Sequence, residues 1–80
     1  MSNRTTLDEI FRDVLALDAT DDTTQLAYGA TEGWDSVAHM QLVAALETSF
    51  NIMLDTDQVI AMSDYSIVEA ILRDSHGVNF

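Results

Sequence analysis

Apolar residues recur at helical spacing along the chain, most clearly near its start. Positions i, i+3, i+4, i+7 and i+8 of this first segment are apolar and share one helical face: Leu7, Ile10, Phe11, Val14 and Leu15. The spacing predicts a helix from about Leu7 to Leu17. Thr6 and Glu9 form a capping-box pattern, so we expect the helix to begin there.

A second helix is predicted from about Ser36 to Phe50. One stripe at helical spacing carries most of its apolar side chains and one histidine: His39, Leu42, Val43, Leu46 and Phe50. The histidine on this stripe is expected to be half-buried and hydrogen-bonded, and a functional role is the alternative. Asn51 should end the helix, because asparagine tolerates the left-handed conformation common at helix C-termini.

The last third of the chain predicts two more helices. A short one covers about Asp57 to Met62 and starts at Asp55 or Thr56. A longer one follows, with a capping-box pattern at Ser66 and Glu69. Its expected buried face consists of Ile67, Ala70 and Ile71, with Val68 and Leu72 beside them.

The segment between the first two helices, Asp18–Asp35, is predicted to be a long loop. Aspartate, threonine and glycine dominate it, and apolar positions are sparse. A loop of this length in a compact domain is often functional. We expect Leu26 and Tyr28 to pin it to the core.

The pattern therefore predicts one all-α domain over residues 1–80, a four-helix bundle of three longer helices and one short helix. No segment alternates at period two, so no strand is expected. The core should span about residues 7–72. The polar N-terminus and the tail, residues 76–80, are expected to be mobile.

The charge balance restricts the possible partners. Fourteen acidic residues against three arginines give a formal charge of −11. Nucleic acid and anionic membrane surfaces are disfavoured, because both require a basic protein face. We expect partner proteins to present basic surfaces. We expect the protein itself to be a monomer.

Metal, disulfide and membrane chemistry find little support in the sequence. The chain has no cysteine, which excludes disulfides and thiolate ligands. Asp18, Asp21 and Asp22 lack the spacing of a calcium-binding loop, so no metal site is expected. Met1–Thr6 lacks the apolar run of a signal peptide, and no segment approaches the ~20 apolar residues of a membrane span. These features favour a cytoplasmic location.

The most informative stretch is Gly33-Trp34-Asp35-Ser36-Val37, at the junction of the long loop and the second helix. It resembles the acyl carrier protein family, whose signature is Asp-Ser-Leu at the start of the second helix. The resemblance covers about Leu7–Leu72. It extends to the length of the preceding loop, the last helix and the pattern Leu42, Leu46, Glu47, Phe50 and Ile52.

The chain departs from the family pattern at a few positions. Val37 replaces the usual leucine, and Gln41 and Thr48 stand where many members carry acids. Trp34 resembles discrete acyl carriers more than peptidyl carriers, which usually have two glycines before the serine.

The resemblance implies a carrier without enzymatic activity of its own. A phosphopantetheinyl transferase would move 4'-phosphopantetheine from coenzyme A onto Ser36, with Asp35 helping it to recognise the site. Acyl groups would travel as thioesters on this arm during fatty-acid, polyketide or related secondary-metabolite synthesis. Acyl-loading, condensing and other processing enzymes would dock on the second helix, at Val37, Met40, Gln41, Ala44, Thr48 and the nearby Glu47.

Elementary physical chemistry supports Ser36 as an attachment site. Backbone N–H groups at a helix N-terminus lack partners and favour an anion such as a phosphodiester. A nucleophilic serine enzyme is disfavoured, because Trp34 and Ala38 occupy the glycine positions of Gly-x-Ser-x-Gly. The remaining alternatives are an aminoacyl or peptidyl carrier, and an acidic helical adaptor in which Ser36 is unmodified and serves as a plain N-cap.

Overall fold

The computed structural model describes residues 2–18 and 20–80 and is built from helices. Four α-helices are joined by loops, and a 3-10 helix at Thr23–Gln25 interrupts the first loop. The α-helices are α1 (Asn3–Leu15), α2 (Ser36–Phe50), α3 (Thr56–Ala61) and α4 (Tyr65–His76). The described residues contain no strand, only an isolated bridge between Ala27 and Asp64. The prediction of an all-α fold is confirmed.

Two predictions include residues outside the described ranges. Met1 belongs to the N-terminal segment Met1–Thr6, and Ala19 belongs to the predicted loop Asp18–Asp35. No helix in the described part of the chain has both the length and the apolar character required to cross a membrane.

Helix α1 begins four residues earlier than predicted. The Ser2 side chain accepts a hydrogen bond from the Thr5 backbone N–H, so Ser2 is the N-cap. The capping box predicted at Thr6 and Glu9 is therefore wrong, and Thr6 lies inside the helix. Ala16, at φ 54, ends the helix two residues before the predicted end at Leu17.

The predictions for α2 and α3 are close to the structure. Helix α2 has the predicted bounds, and Asn51 ends it in the left-handed conformation at φ 54. Helix α3 begins and ends one residue earlier than predicted. Asp55 is its N-cap and forms a capping box with Gln58.

Helix α4 differs from the prediction in its start and its buried face. Asp64 is the N-cap, accepting from the Ile67 N–H, so the capping box predicted at Ser66 and Glu69 is wrong. Glu69 instead pairs with Arg4 of α1 at 2.6 Å. The buried residues are Tyr65, Val68 and Leu72, whereas Ile67, Ala70 and Ile71 are only partly buried. The helix is therefore rotated relative to the predicted face, because Tyr65 enters the core.

Aromatic side chains form the centre of the core. The Phe11 ring lies 5.4 Å from Trp34 and 5.2 Å from Tyr65 between ring centroids. Because the three rings come from α1, the long loop and α4, this cluster joins the beginning, middle and end of the chain. The other fully buried large side chains are Leu7, Leu42, Leu46, Met62, Val68 and Leu72.

A polar network lies beside the aromatic cluster. One carboxylate oxygen of Asp8 accepts hydrogen bonds from the Tyr65 hydroxyl at 2.5 Å and the Thr23 hydroxyl at 2.9 Å. Arg4 donates to the Tyr65 hydroxyl at 3.2 Å. Burial, together with the bond to Asp8, raises the pKa of Tyr65 to about 12. The network fastens α1 to α4 and to the 3-10 helix.

The long loop is held to the core, but not by both predicted residues. Leu26 is buried as predicted, whereas Tyr28 is 44% exposed. Trp34, only 2% exposed, supplies the second anchor. The Tyr28 N–H donates to the Ser63 carbonyl at 2.8 Å, which ties the loop to the α3–α4 connection.

The chain ends, predicted to be mobile, pack against the domain. His76 belongs to α4, and Val78 beyond it is buried, so the core extends past residue 72. The Phe80 ring lies 6.3 Å from Phe50, with the Arg4 guanidinium above it. Asn3 donates to the Asn79 carbonyl at 2.9 Å, joining the N-terminal helix to the tail.

Candidate functional site

Ser36 is the first residue of α2 and is exposed to solvent. The residue before it, Asp35, caps the helix: its carboxylate accepts from the Ala38 N–H at 2.9 Å. The prediction that Ser36 could serve as a plain N-cap is therefore wrong, whereas the alternative of an acidic helical adaptor with an unmodified Ser36 does not depend on it. Because Asp35 performs the capping, the Ser36 hydroxyl is not required for it.

The electrostatics at Ser36 favour an attached anion. The first N–H groups of a helix have no intrahelical acceptors, and the dipole makes this end positive. Asp35 satisfies the N–H groups of Ala38 and His39, with its side chain and its carbonyl respectively. The N–H groups of Ser36 and Val37 lie next to the serine hydroxyl at the same end.

An apolar groove of about 360 Å³ opens beside Ser36, between α2, α3 and the long loop. We call it the α2–α3 groove. Its wall is mostly apolar, and methionine, valine and isoleucine side chains contribute to it. Its lining residues are Tyr28, Ser36, His39, Met40, Val59, Ile60, Met62 and Ser63.

His39 lies in the wall of this groove and is hydrogen-bonded on both ring nitrogens. The Trp34 indole N–H donates to Nδ1 at 3.1 Å, and Nε2 lies 2.8 Å from the Val59 carbonyl oxygen. An indole can only donate and a carbonyl can only accept. Nδ1 is therefore the acceptor and Nε2 the donor, and the prediction of a half-buried, satisfied histidine is confirmed.

These bonds also bear on the chemistry available to Ser36. A serine nucleophile needs a neighbouring base that can take its proton. Both nitrogens of His39 are committed to Trp34 and Val59, so His39 is not placed for that role. Within residues 2–18 and 20–80, no group of three or more His, Cys, Asp or Glu is arranged to hold a metal ion.

The face of α2 predicted for partner contacts is exposed. Val37 and Met40 are 67% and 60% exposed, and Gln41, Ala44 and Thr48 are also exposed. Met40 belongs both to this face and to the groove wall. Glu47 is only partly buried, but its carboxylate accepts from the Leu54 N–H at 2.9 Å, which braces the α2–α3 loop.

The sequence predictions did not include the far wall of the groove. Val59, Ile60 and Met62 come from α3 and its C-terminal end, and Tyr28 comes from the loop. Periodicity gave no signal for this wall, because a six-residue helix is too short to define an apolar stripe, and adjacent apolar residues such as Leu42 and Val43 can both be buried. Ile60 is 75% exposed.

The site thus combines an exposed serine at a capped helix start, an apolar groove beside it and a largely neutral exposed helix face. No family model, curated protein or solved structure matches the chain. The residues and their geometry are therefore the basis for assigning a function.

Proposed function

We propose that this protein is an acyl carrier protein, with Ser36 as the attachment point of a 4'-phosphopantetheine arm. One observation carries the proposal: Ser36 is exposed on the first turn of α2, is released from capping by Asp35, and opens onto an apolar groove. The four-helix bundle of that family is the arrangement that we assign to α1–α4.

The residues around Ser36 fit such an arm. The serine hydroxyl would hold its phosphodiester, and the N–H groups of Ser36 and Val37 would stabilise the negative charge. When bound, the arm supplies a terminal thiol that carries acyl groups as thioesters. The tether raises the effective concentration of the carried group at each enzyme that it visits.

The α2–α3 groove suits an apolar cargo. Met40, Val59 and Ile60 offer apolar surface next to Ser36, and burying such surface of a carried group away from water is favourable. Ile60 is 75% exposed without a cargo, so it gains most from being covered. This role supports acyl groups of fatty-acid, polyketide or related secondary-metabolite synthesis as the class of cargo.

The exposed face of α2 suits enzymes that must reach Ser36. Val37 and Met40 would be apolar contact anchors, because both are exposed and lie within about one turn of the serine. The formal charge of −11 would steer basic surfaces, including that of a phosphopantetheinyl transferase, toward the protein. Asp35 would help the transferase to recognise the site.

The test is modification of purified protein by a broad-specificity phosphopantetheinyl transferase and coenzyme A, followed by intact-mass measurement. Wild type should gain the mass of the arm, and Ser36→Ala should not. Ser63→Ala is a matched control, since Ser63 is also exposed and lines the same groove. It should be modified like wild type. An unmodified wild type, or modification of Ser36→Ala, would show that the proposal is wrong.

A further inference from the structure

Helix α3 is attached to the domain differently from the other helices. None of its described side chains is buried, and Val59 is only partly so. Side chains of two other helices hold it by hydrogen bonds: His39 of α2 bonds Val59, and His76 of α4 bonds Gln58 at 3.0 Å. These are the two histidines of the chain.

The bond from His39 satisfies a carbonyl that the helix itself leaves without a partner. The last carbonyls of a helix have no intrahelical donor. The Ser63 N–H, four residues beyond Val59, turns back to the Ala61 carbonyl at 2.8 Å. The Val59 carbonyl therefore takes its hydrogen bond from His39 Nε2 across the groove.

The opposite side of the imidazole is fixed to the core. Trp34 is 2% exposed, donates to Nδ1 and stacks on the ring at an interplanar angle of 21°. The centroid of the Tyr28 ring lies 5.4 Å from that of the imidazole, in a T-shaped arrangement. Trp34 thus sets both the orientation and the tautomer of His39, so that the Nε2 proton points to α3.

We propose that His39 is a positioning residue that fastens the C-terminal end of α3 to α2 and thereby sets the width of the α2–α3 groove. The fastening follows from the contacts of His39 alone. Its consequence, that His39 determines how well an apolar acyl group beside Ser36 is enclosed, rests on the proposed function.

Two conservative substitutions separate the bonds of His39. In His39→Asn, the amide oxygen can occupy the place of Nδ1, keeping an acceptor for Trp34 and losing the donor to Val59. In His39→Gln, the amide nitrogen can reach the place of Nε2, keeping the donor to Val59 and losing the acceptor for Trp34. If His39 acts by fastening α3, the two variants must differ in the local stability of α3.

The first measurement is hydrogen exchange of backbone amides in the unmodified protein. His39→Asn should raise the exchange rates of residues 59–61 about three- to tenfold, the range expected for one lost hydrogen bond. The buried middle of α2, Leu42–Leu46, should keep its wild-type rates. His39→Gln should leave residues 59–61 within about twofold of wild type.

Equal exchange at residues 59–61 in His39→Asn and wild type would overturn the fastening role. An equal increase in both variants would do so too, because it would indicate general loss of packing. If only His39→Asn unfolds, the proposal still requires near-wild-type exchange rates at residues 59–61 in His39→Gln. If both unfold, His39 is a core residue and the proposal is wrong.

The second measurement uses protein loaded from octanoyl coenzyme A by the transferase. Hydroxylamine should cleave the thioester several-fold faster in His39→Asn than in wild type, and at nearly the wild-type rate in His39→Gln. If cleavage is unchanged while exchange is increased, the effect of His39 on enclosure is refuted, but its fastening of α3 is not. Failure of every variant, wild type included, to accept the arm would refute the proposed function and leave the exchange result standing.

Discussion

The contact between α1 and α4 and the attachment of α3 differ in how much side-chain surface they bury. At the first, Phe11 and Tyr65 are buried against each other, and Asp8 accepts hydrogen bonds from two hydroxyls. At the second, no side chain within α3 is buried; Met62 at its C-terminal end is buried, and hydrogen bonds from His39 and His76 also hold the helix. The side with the proposed functional groove is thus the less firmly packed one.

This difference has a general physical meaning. Burial of large apolar side chains supplies most of the free energy of folding, whereas one hydrogen bond contributes about 1 kcal/mol net. A helix that buries few side chains of its own can open without unfolding the rest of the domain. The buried core around Phe11 and Tyr65 should therefore set global stability, and α3 should set access to the groove.

The largest expected effect compares one apolar residue from each region. Phe11→Ala should lower the free energy of unfolding by about 3–5 kcal/mol, because it removes a fully buried ring. Ile60→Ala should change it by no more than about 0.5 kcal/mol, because Ile60 is 75% exposed. Urea denaturation followed by circular dichroism measures both. A loss above about 1 kcal/mol for Ile60→Ala would mean that α3 belongs to the stabilising core.

Alkaline pH should weaken the α1–α4 contact specifically. The pKa of Tyr65 is raised from 10.0 to about 12, so the folded state holds this proton more tightly than the unfolded state. The associated stability is present below pH 10 and is lost as the pH rises toward 12; a shift of this size corresponds to roughly 2–3 kcal/mol at most.

Denaturation at several pH values between 9 and 12 measures this loss. Tyr65→Phe should flatten the dependence, although it also removes the hydrogen bond to Asp8. Tyr28→Phe is the control, since Tyr28 is 44% exposed and should leave the dependence as in wild type. A dependence that persists in Tyr65→Phe would assign it to another group.

The smallest effect on stability is expected at Met40, in the α2 wall of the α2–α3 groove. Met40 is 60% exposed, so Met40→Ala should leave the melting temperature nearly unchanged. Under the proposed function it should weaken binding of the native transferase by about 1 kcal/mol or more, seen as slower modification. If Met40→Ala instead unfolds the domain while the folded fraction is modified normally, Met40 belongs to the core.

Some of this structure follows from local sequence signals. The end of α2 was predicted because Asn51 tolerates the left-handed conformation that it adopts there. The starts of α1 and α4 were not predicted, because the N-caps are Ser2 and Asp64 instead of the expected Thr6 and Ser66. Tertiary contacts decide between them, since Glu69 is engaged by Arg4 and Tyr65 must enter the core.

The candidate site was predictable only on its α2 side. Ser36, Val37 and Met40 could be placed from helical periodicity, because they share one helix. The other wall of the groove depends on where α3 and the long loop lie, which periodicity within α2 does not determine. The role of His39 was equally hidden, since its partners, Trp34 and Val59, come from two other segments.

Trp34 is the chain's one tryptophan, and its position makes it an internal spectroscopic probe. Its indole is shielded from water, lies 5.4 Å from the Phe11 ring and donates to His39. Its emission should therefore shift to longer wavelength when the core opens, and should change in intensity when the imidazole beside it is disturbed. Both the packed region and the groove can thus be followed in unlabelled protein, in the same cuvette.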